Sequence, residues 1–225
     1  MYRKALKIFR EKTFITLLII PLIFLTLRLS LTPVAWPEKP PMDCIYQDER
    51  GYEGCGFIFD EAHYIPAVRI MKTLNQPVNL EHPPLSKWII MLGMSLFGDN
   101  PWGWRSLNIF FSTITLFLVG LLAFELSKNV KLSLIAQSLT FMDVTFFNIS
   151  GFAILDPPAL AFMMLTVYLY VKGYGLFSGI SLGLAMLSKS SMILVAISLI
   201  MIEVTYPIVN RKTIEELINS FRRIV

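Results

Sequence analysis

The sequence is poor in charge, in cysteine and in histidine. Only 16% of its 225 residues are charged, against 55% that are hydrophobic, and it has two cysteines and two histidines. So apolar a chain falls outside the range of soluble domains and fits the membrane class. It has no GxGxxG, Walker A, HExxH or DxD motif, so nothing in it cradles a nucleotide diphosphate. CxxC and Cys/His zinc spacings are absent too, as are internal repeats, low-complexity tracts and any catalytic serine or cysteine constellation. The net charge of +4 is modest, and its basic residues cluster beside apolar runs. That placement orients a chain in a bilayer and does not call for nucleic acid.

What the sequence does have is apolar runs, and their order predicts an all-α, polytopic membrane helical bundle. Residues 1–12 carry Arg3, Lys4, Lys7, Arg10 and Lys12 against a single acid, Glu11, and form a cytoplasmic tail by the positive-inside rule. The apolar run that follows, with residues 13–32 as the first span, is interrupted by Pro21 and Arg28. It can cross a ~30 Å hydrocarbon layer as an uncleaved anchor, with Arg28 snorkelling to the far interface. Residues 33–104 then form an exterior loop holding nine of the 16 acids and both histidines. Cys44 and Cys55 bracket a short charged stretch of that loop. An oxidising exterior would join them as a disulfide, and a reducing side would leave two thiols.

Within the loop, Asp60 is placed to cap a helix running to Leu74, whose apolar and basic residues interleave as in a helix lying on a membrane surface. Trp88–Phe97 is too short for a span and reads as an interfacial or re-entrant helix. If it does not cross, Ser106–Phe124 runs inward, Leu132–Leu155 returns, Pro158–Val171 runs inward, and Leu176–Ile202 splits at Lys189 into two helices. That gives about six spans within 1–208, keeps the lysines at 128 and 131 inside, and leaves Asp156 on the side of Asp60. Residues 209–225 form a second cytoplasmic tail, and the whole is one module. If Trp88–Phe97 crosses, Asp60 and Asp156 end on opposite surfaces.

Each candidate for chemistry has a plain alternative. Asp60-Glu61 is an acidic pair at a membrane face, or a helix cap beside a solvated acid. His82, between Glu81 and two prolines, and Lys87 set an imidazole and a cation around a rigid turn, or merely stiffen a helix entry. Asp156 heads a span at membrane depth, where acids are costly and usually functional, though a carboxylate also steadies a helix N-terminus. Asp143, inside the Leu132–Leu155 run, is too far along the axis to share a site with Asp156, so a structural pairing is expected for it. Lys189 wants an anionic partner or snorkels, and Arg105 is an interfacial anchor at the least.

Taken in order, Phe59-Asp60-Glu61-Ala62-His63, His82-Pro83-Pro84-Leu85-Ser86-Lys87 and Leu155-Asp156-Pro157 resemble segments of the integral-membrane class C glycosyltransferases. The stretch from Gly98 to Arg105 and Leu187-Ser188-Lys189 resemble family segments as well. The likeness is closest to the protein O-mannosyltransferases and the lipid A aminoarabinose transferases, and it covers roughly Phe59–Ser190, the N-terminal module of those longer proteins. It implies an inverting transferase that moves a sugar from a polyprenyl-phosphate or dolichyl-phosphate donor to a protein or lipid hydroxyl. Asp60 and Glu61 would be catalytic. His82, Lys87, Arg105, Asp156 and Lys189 would hold the donor phosphate and substrate. Two departures stand out: the O-mannosyltransferases carry an arginine at the position of Gly151, and the aminoarabinose transferases carry a lysine at that of His82. No cofactor is certain, and a divalent metal is left open without any residue pattern that indicates one. Homo- or hetero-oligomers are left open, and the alternative function is a non-catalytic polyprenyl-phosphate-binding module that needs a partner chain.

Overall fold

The structure is a computed structural model and describes residues 2–32, 57–74 and 79–209. Cys44, Cys55 and the C-terminal tail predicted over 209–225, apart from its first residue, lie outside the described residues. Among those described there are nine α-helices and no strand: α1 (Tyr2–Leu31), α2 (Glu61–Leu74), α3 (Leu85–Phe97), α4 (Pro101–Ser127), α5 (Val130–Met142), α6 (Val144–Ile149), α7 (Asp156–Val171), α8 (Gly175–Ser188) and α9 (Ile193–Val209). The Lys12–Leu31 part of α1 and the whole of α4 are long and apolar enough to cross a membrane; the other apolar helices are shorter. Large side chains such as Ile15, Leu22, Leu139, Phe177 and Leu194 face outward. In water such a surface would drive aggregation, whereas hydrocarbon wets it.

Side-chain pairs fix the direction of every long helix. Phe14 meets Phe117 at one end of α1, and Arg105 reaches the Thr32 carbonyl at the other, so α1 and α4 are antiparallel. Gln137 of α5 donates to the carbonyls of Leu17 and Leu116, which brings α5 back along both. Asn108 donates to the Ile154 carbonyl while Lys172 pairs with Glu125 at 3.3 Å, so α7 runs parallel to α4. Ser178 and Ser181 donate to the Thr166 and Phe162 carbonyls, which sets α8 antiparallel to α7. Finally the Tyr170 hydroxyl donates to the Glu203 carboxylate, returning α9 to the far end. Thr32, residues 57–74 and 79–100, residues 150–156 and Lys189 consequently gather at one end of the bundle, the site end.

Two short polar sequences break what would otherwise be continuous helices. The sequence predicts one span over Leu132–Leu155, but Asp143 adopts an extended ψ of 121° and its carboxylate accepts from the Phe146 amide at 2.6 Å. It therefore caps α6 instead of pairing across the bundle, an arrangement in which an aspartate satisfies an orphan amide. The split expected at Lys189 is present, with a single 3-10 turn over Ser190–Met192 between α8 and α9.

Ile65 and Val68 of α2 are buried with Ile90 and Met94 of α3, Trp104 and residues 153–155 in one core cluster. So α2 hides its apolar face inside the protein, not along a membrane surface as its pattern suggests. Arg69 explains the preference. It grips Asp99 through two hydrogen bonds of 2.8 and 3.0 Å and lies over the Phe57 and Trp104 rings. At the start of α4, Asn100 accepts from the Trp102 and Gly103 amides ahead of a proline at the first turn. There α3 and α4 approach so closely that a Cβ on Gly103 would fall on the Gly98 carbonyl oxygen.

Candidate active site

The site end is assembled by one fully buried acid. Glu61 is 0% exposed. Its Oε1 accepts from Arg105 Nε at 2.7 Å and from the Ala153 amide at 2.7 Å. Its Oε2 accepts from Arg105 Nη2 at 2.5 Å and from the Ile58 amide at 3.0 Å. A bidentate arginine and two amides leave that carboxylate fully occupied. Arg105 is 2% exposed and also reaches the Thr32 carbonyl, so it is buried and not the interfacial anchor its position suggests. The pair binds together the segment before α2, the end of α1, the first turns of α4 and the segment before α7.

Other buried polar groups hold the last of these in place. Asn108 donates to the carbonyls of Phe152 and Ile154, both at 2.8 Å. Ser86, fully buried at the start of α3, donates to the Leu155 carbonyl at 3.0 Å. Asp156 follows directly, at the first turn of α7, and pairs with Lys189 at 2.7 Å. Both side chains of that pair remain about a quarter to a third exposed.

Asp60 stands beside Glu61 but in a different state. Its backbone carbonyl accepts from the His63 and Tyr64 amides, opening α2. The carboxylate is half-buried, and among the described residues no side chain hydrogen-bonds to it. Phe59 just before it has φ of 56°, a left-handed conformation unusual for a bulky residue, and its ring is exposed. Such strain persists only where surrounding contacts impose it, and here the Ile58 amide bound to Glu61 supplies one of them.

Tyr64 reports how close these acids lie. Burial pushes its hydroxyl up to about 12, and the negative charges of Asp60, Asp156 and Glu81 push in the same direction. Two acids far apart in sequence thus both act on the charge of one phenol. The ring of His82 stands edge-on to Tyr64, with centroids 5.9 Å apart, and its Nδ1 is buried without a hydrogen-bond partner. Lys87 is 2% exposed and donates to the carbonyls of Asn79 and His82. Burial lowers the pKa of its ammonium, an effect the Glu81 charge opposes.

Asp60, Glu61, His82, Lys87, Arg105, Asp156 and Lys189, all seven residues singled out in the sequence, therefore lie at the site end. They divide by environment. Glu61, Arg105 and Lys87 are buried against protein groups, whereas Asp60, Asp156, Lys189 and one nitrogen of His82 have capacity left for a ligand. Among the described residues no three His, Cys, Asp or Glu side chains stand together as metal ligands. Sequence reasoning missed Tyr64, Ser86 and Asn108. Tyr64, four residues after Asp60 and so on the same helix face, could have been found by that spacing.

A profile of the dolichyl-phosphate-mannose-protein mannosyltransferase family matches residues 81–221, well over half the chain. Among curated proteins, the polyprenol-phosphate-mannose–protein mannosyltransferase of Corynebacterium glutamicum is 32% identical over 111 residues, covering 44% of this chain and 21% of that protein. Its namesakes in Mycolicibacterium smegmatis and Mycobacterium tuberculosis are 34% and 30% identical over 105 residues, each match covering 44% of this chain and 20% of the relative. The matched stretch thus spans about a fifth of the length of these relatives. No solved structure matches the chain.

Proposed function

Because the chain belongs to the dolichyl-phosphate-mannose-protein mannosyltransferase family, we propose that it moves mannose from a polyprenyl-phosphate donor to a protein hydroxyl. The reaction takes place at the exterior membrane face, at the site end of a six-span bundle whose N-terminus is cytoplasmic. It is a single displacement that inverts the anomeric carbon. The acceptor hydroxyl gives its proton to Asp60 as its oxygen bonds to C1. The bond from C1 to the phosphate oxygen breaks, and that oxygen keeps the electron pair. His82 and Lys189 stabilise the charge that develops on the leaving phosphate, since cations and donors placed in advance at developing charge are the strongest lever such a site has. Asp156 holds Lys189 in position, and the ammonium keeps two further N–H groups for phosphate. Glu61, Arg105 and Lys87 shape the site and do not touch the reacting atoms.

The observation that carries this reading is that the Glu61–Arg105 pair ties the segment before α2, which carries Asp60, to the segment before α7, which leads into Asp156 and its partner Lys189, at the same end as a histidine nitrogen with unused capacity. A lipid-borne donor also accounts for the lack of any nucleotide-binding motif. The test is to supply the purified chain in nanodiscs with polyprenyl-phosphate mannose and a serine- and threonine-containing peptide. Mannosylated peptide and free polyprenyl phosphate should appear in equal amounts. Donor binding with neither product would make the chain a binding module that needs a partner. No binding at all would contradict the reading.

A further inference from the structure

Arg28 is a cation at the site end that no carboxylate balances among the described residues. It lies three residues before the end of α1, where an arginine of an apolar helix ordinarily snorkels to the interface. Its guanidinium turns inward instead. The group lies over the Phe147 ring at 4.7 Å and fills the place a side chain at Gly151 would take, since a Cβ there would fall on Nη2. Nε is buried and makes no hydrogen bond. Among the described residues no carboxylate is within ion-pair distance of the group.

Glu61, one of the acids at this end, is occupied by Arg105 and two amides. Arg105 itself is close enough for its positive charge to act on Arg28. Two guanidinium groups thus act on one another in a largely apolar setting, and the face of one phenyl ring is weak compensation for a desolvated cation. A guanidinium with a free fork prefers a planar or tetrahedral oxyanion. Its depth, at the end of an apolar helix, is that of a lipid headgroup.

We propose that Arg28, seated in the notch left by Gly151, is a phosphate-binding residue that takes the phosphate group of a polyprenyl-phosphate lipid. This rests on the reading above only in taking a lipid as the carrier, because free phosphate presents the same chemistry. Gly151 is part of the device: a methyl group there displaces the guanidinium without removing its charge.

The experiment measures dissociation constants of polyprenyl phosphate, neutral polyprenol and inorganic phosphate for the full chain in nanodiscs. It compares the wild type with Arg28→Gln, Arg28→Lys, Gly151→Ala and the Arg28→Gln/Gly151→Ala double variant. The wild type should prefer polyprenyl phosphate to polyprenol. Arg28→Gln should weaken binding of the phosphate lipid by at least about tenfold and leave polyprenol binding unchanged. The Lys variant should fall between the two and show that the fold survives. Gly151→Ala should weaken binding as well, and the double variant should be no worse than Arg28→Gln alone, because both act through one group. Inorganic phosphate that competes in the wild type and not in Arg28→Gln supports the anion site and assigns it to the phosphate group, free or lipid-borne. If the wild type distinguishes the two lipids and Arg28→Gln binds the phosphate lipid equally well, the assignment of Arg28 is overturned. A wild type that does not distinguish them overturns the donor reading itself.

Discussion

Asp60→Asn should lower the rate of mannosyl transfer by at least about a hundredfold while leaving donor affinity unchanged, the usual signature of a lost general base. The exchange keeps the shape of the side chain. Nothing among the described residues hydrogen-bonds to the Asp60 carboxylate, so an amide there breaks no contact, and the backbone carbonyl still opens α2. What disappears is the capacity to take a proton from the acceptor hydroxyl. Single-turnover rates and donor dissociation constants measured on the same preparation separate the two effects. A turnover rate close to that of the wild type would remove Asp60 from the chemistry.

Glu61→Ala should behave in the opposite way, as a loss of stability of about 3–5 kcal/mol, because it strands a buried guanidinium without its counter-ion. The Ile58 and Ala153 amides lose their acceptor at the same time. The substitution should therefore lower the melting temperature in detergent sharply and release the segments that carry Asp60 and Asp156. A double variant, Glu61→Leu with Arg105→Met, should recover much of that stability, since apolar groups of similar volume commonly replace a buried ion pair at little cost. Its transfer activity should still be reduced, because the strained backbone at Phe59 loses the contact to the Ile58 amide that helps impose it. If Glu61→Ala melts with the wild type, the pair is not what assembles the site end.

Much of the helical plan is legible from local chemistry. The break at Lys189 can be read from the polar Ser-Lys-Ser-Ser run inside an apolar stretch. Asp143 was readable as an acid in an apolar run but not as a helix cap. Capping depends on an extended ψ at one residue, and hydrophobic pattern does not specify that.

The site was legible as a set of residues and not as a division of labour. Asp60 and Glu61 are neighbours in sequence and opposites in the fold, one with an unused carboxylate and the other fully enclosed. The difference is made by Arg105 and Ala153, 44 and 92 residues further along the chain, and no local pattern carries pairings over such distances. Arg28 shows the same limit. The charge stood out in the first apolar run, but its inward turn depends on Phe147 and on the bare backbone of Gly151. In α2 the amphipathic pattern is legible, but its apolar face meets α3 and Trp104 instead of lipid.

The measurement that bears most directly on all of this is the sidedness of two acids. In a background of Cys44→Ser and Cys55→Ser, single cysteines are placed by Asp60→Cys, Asp156→Cys and Lys128→Cys. Each is then exposed to a membrane-impermeant maleimide in right-side-out vesicles. Positions 60 and 156 should label from outside, and position 128, at the other end of α4, only after permeabilisation. Labelling of 60 and 156 from opposite faces would mean that the proposed active centre is not a single site.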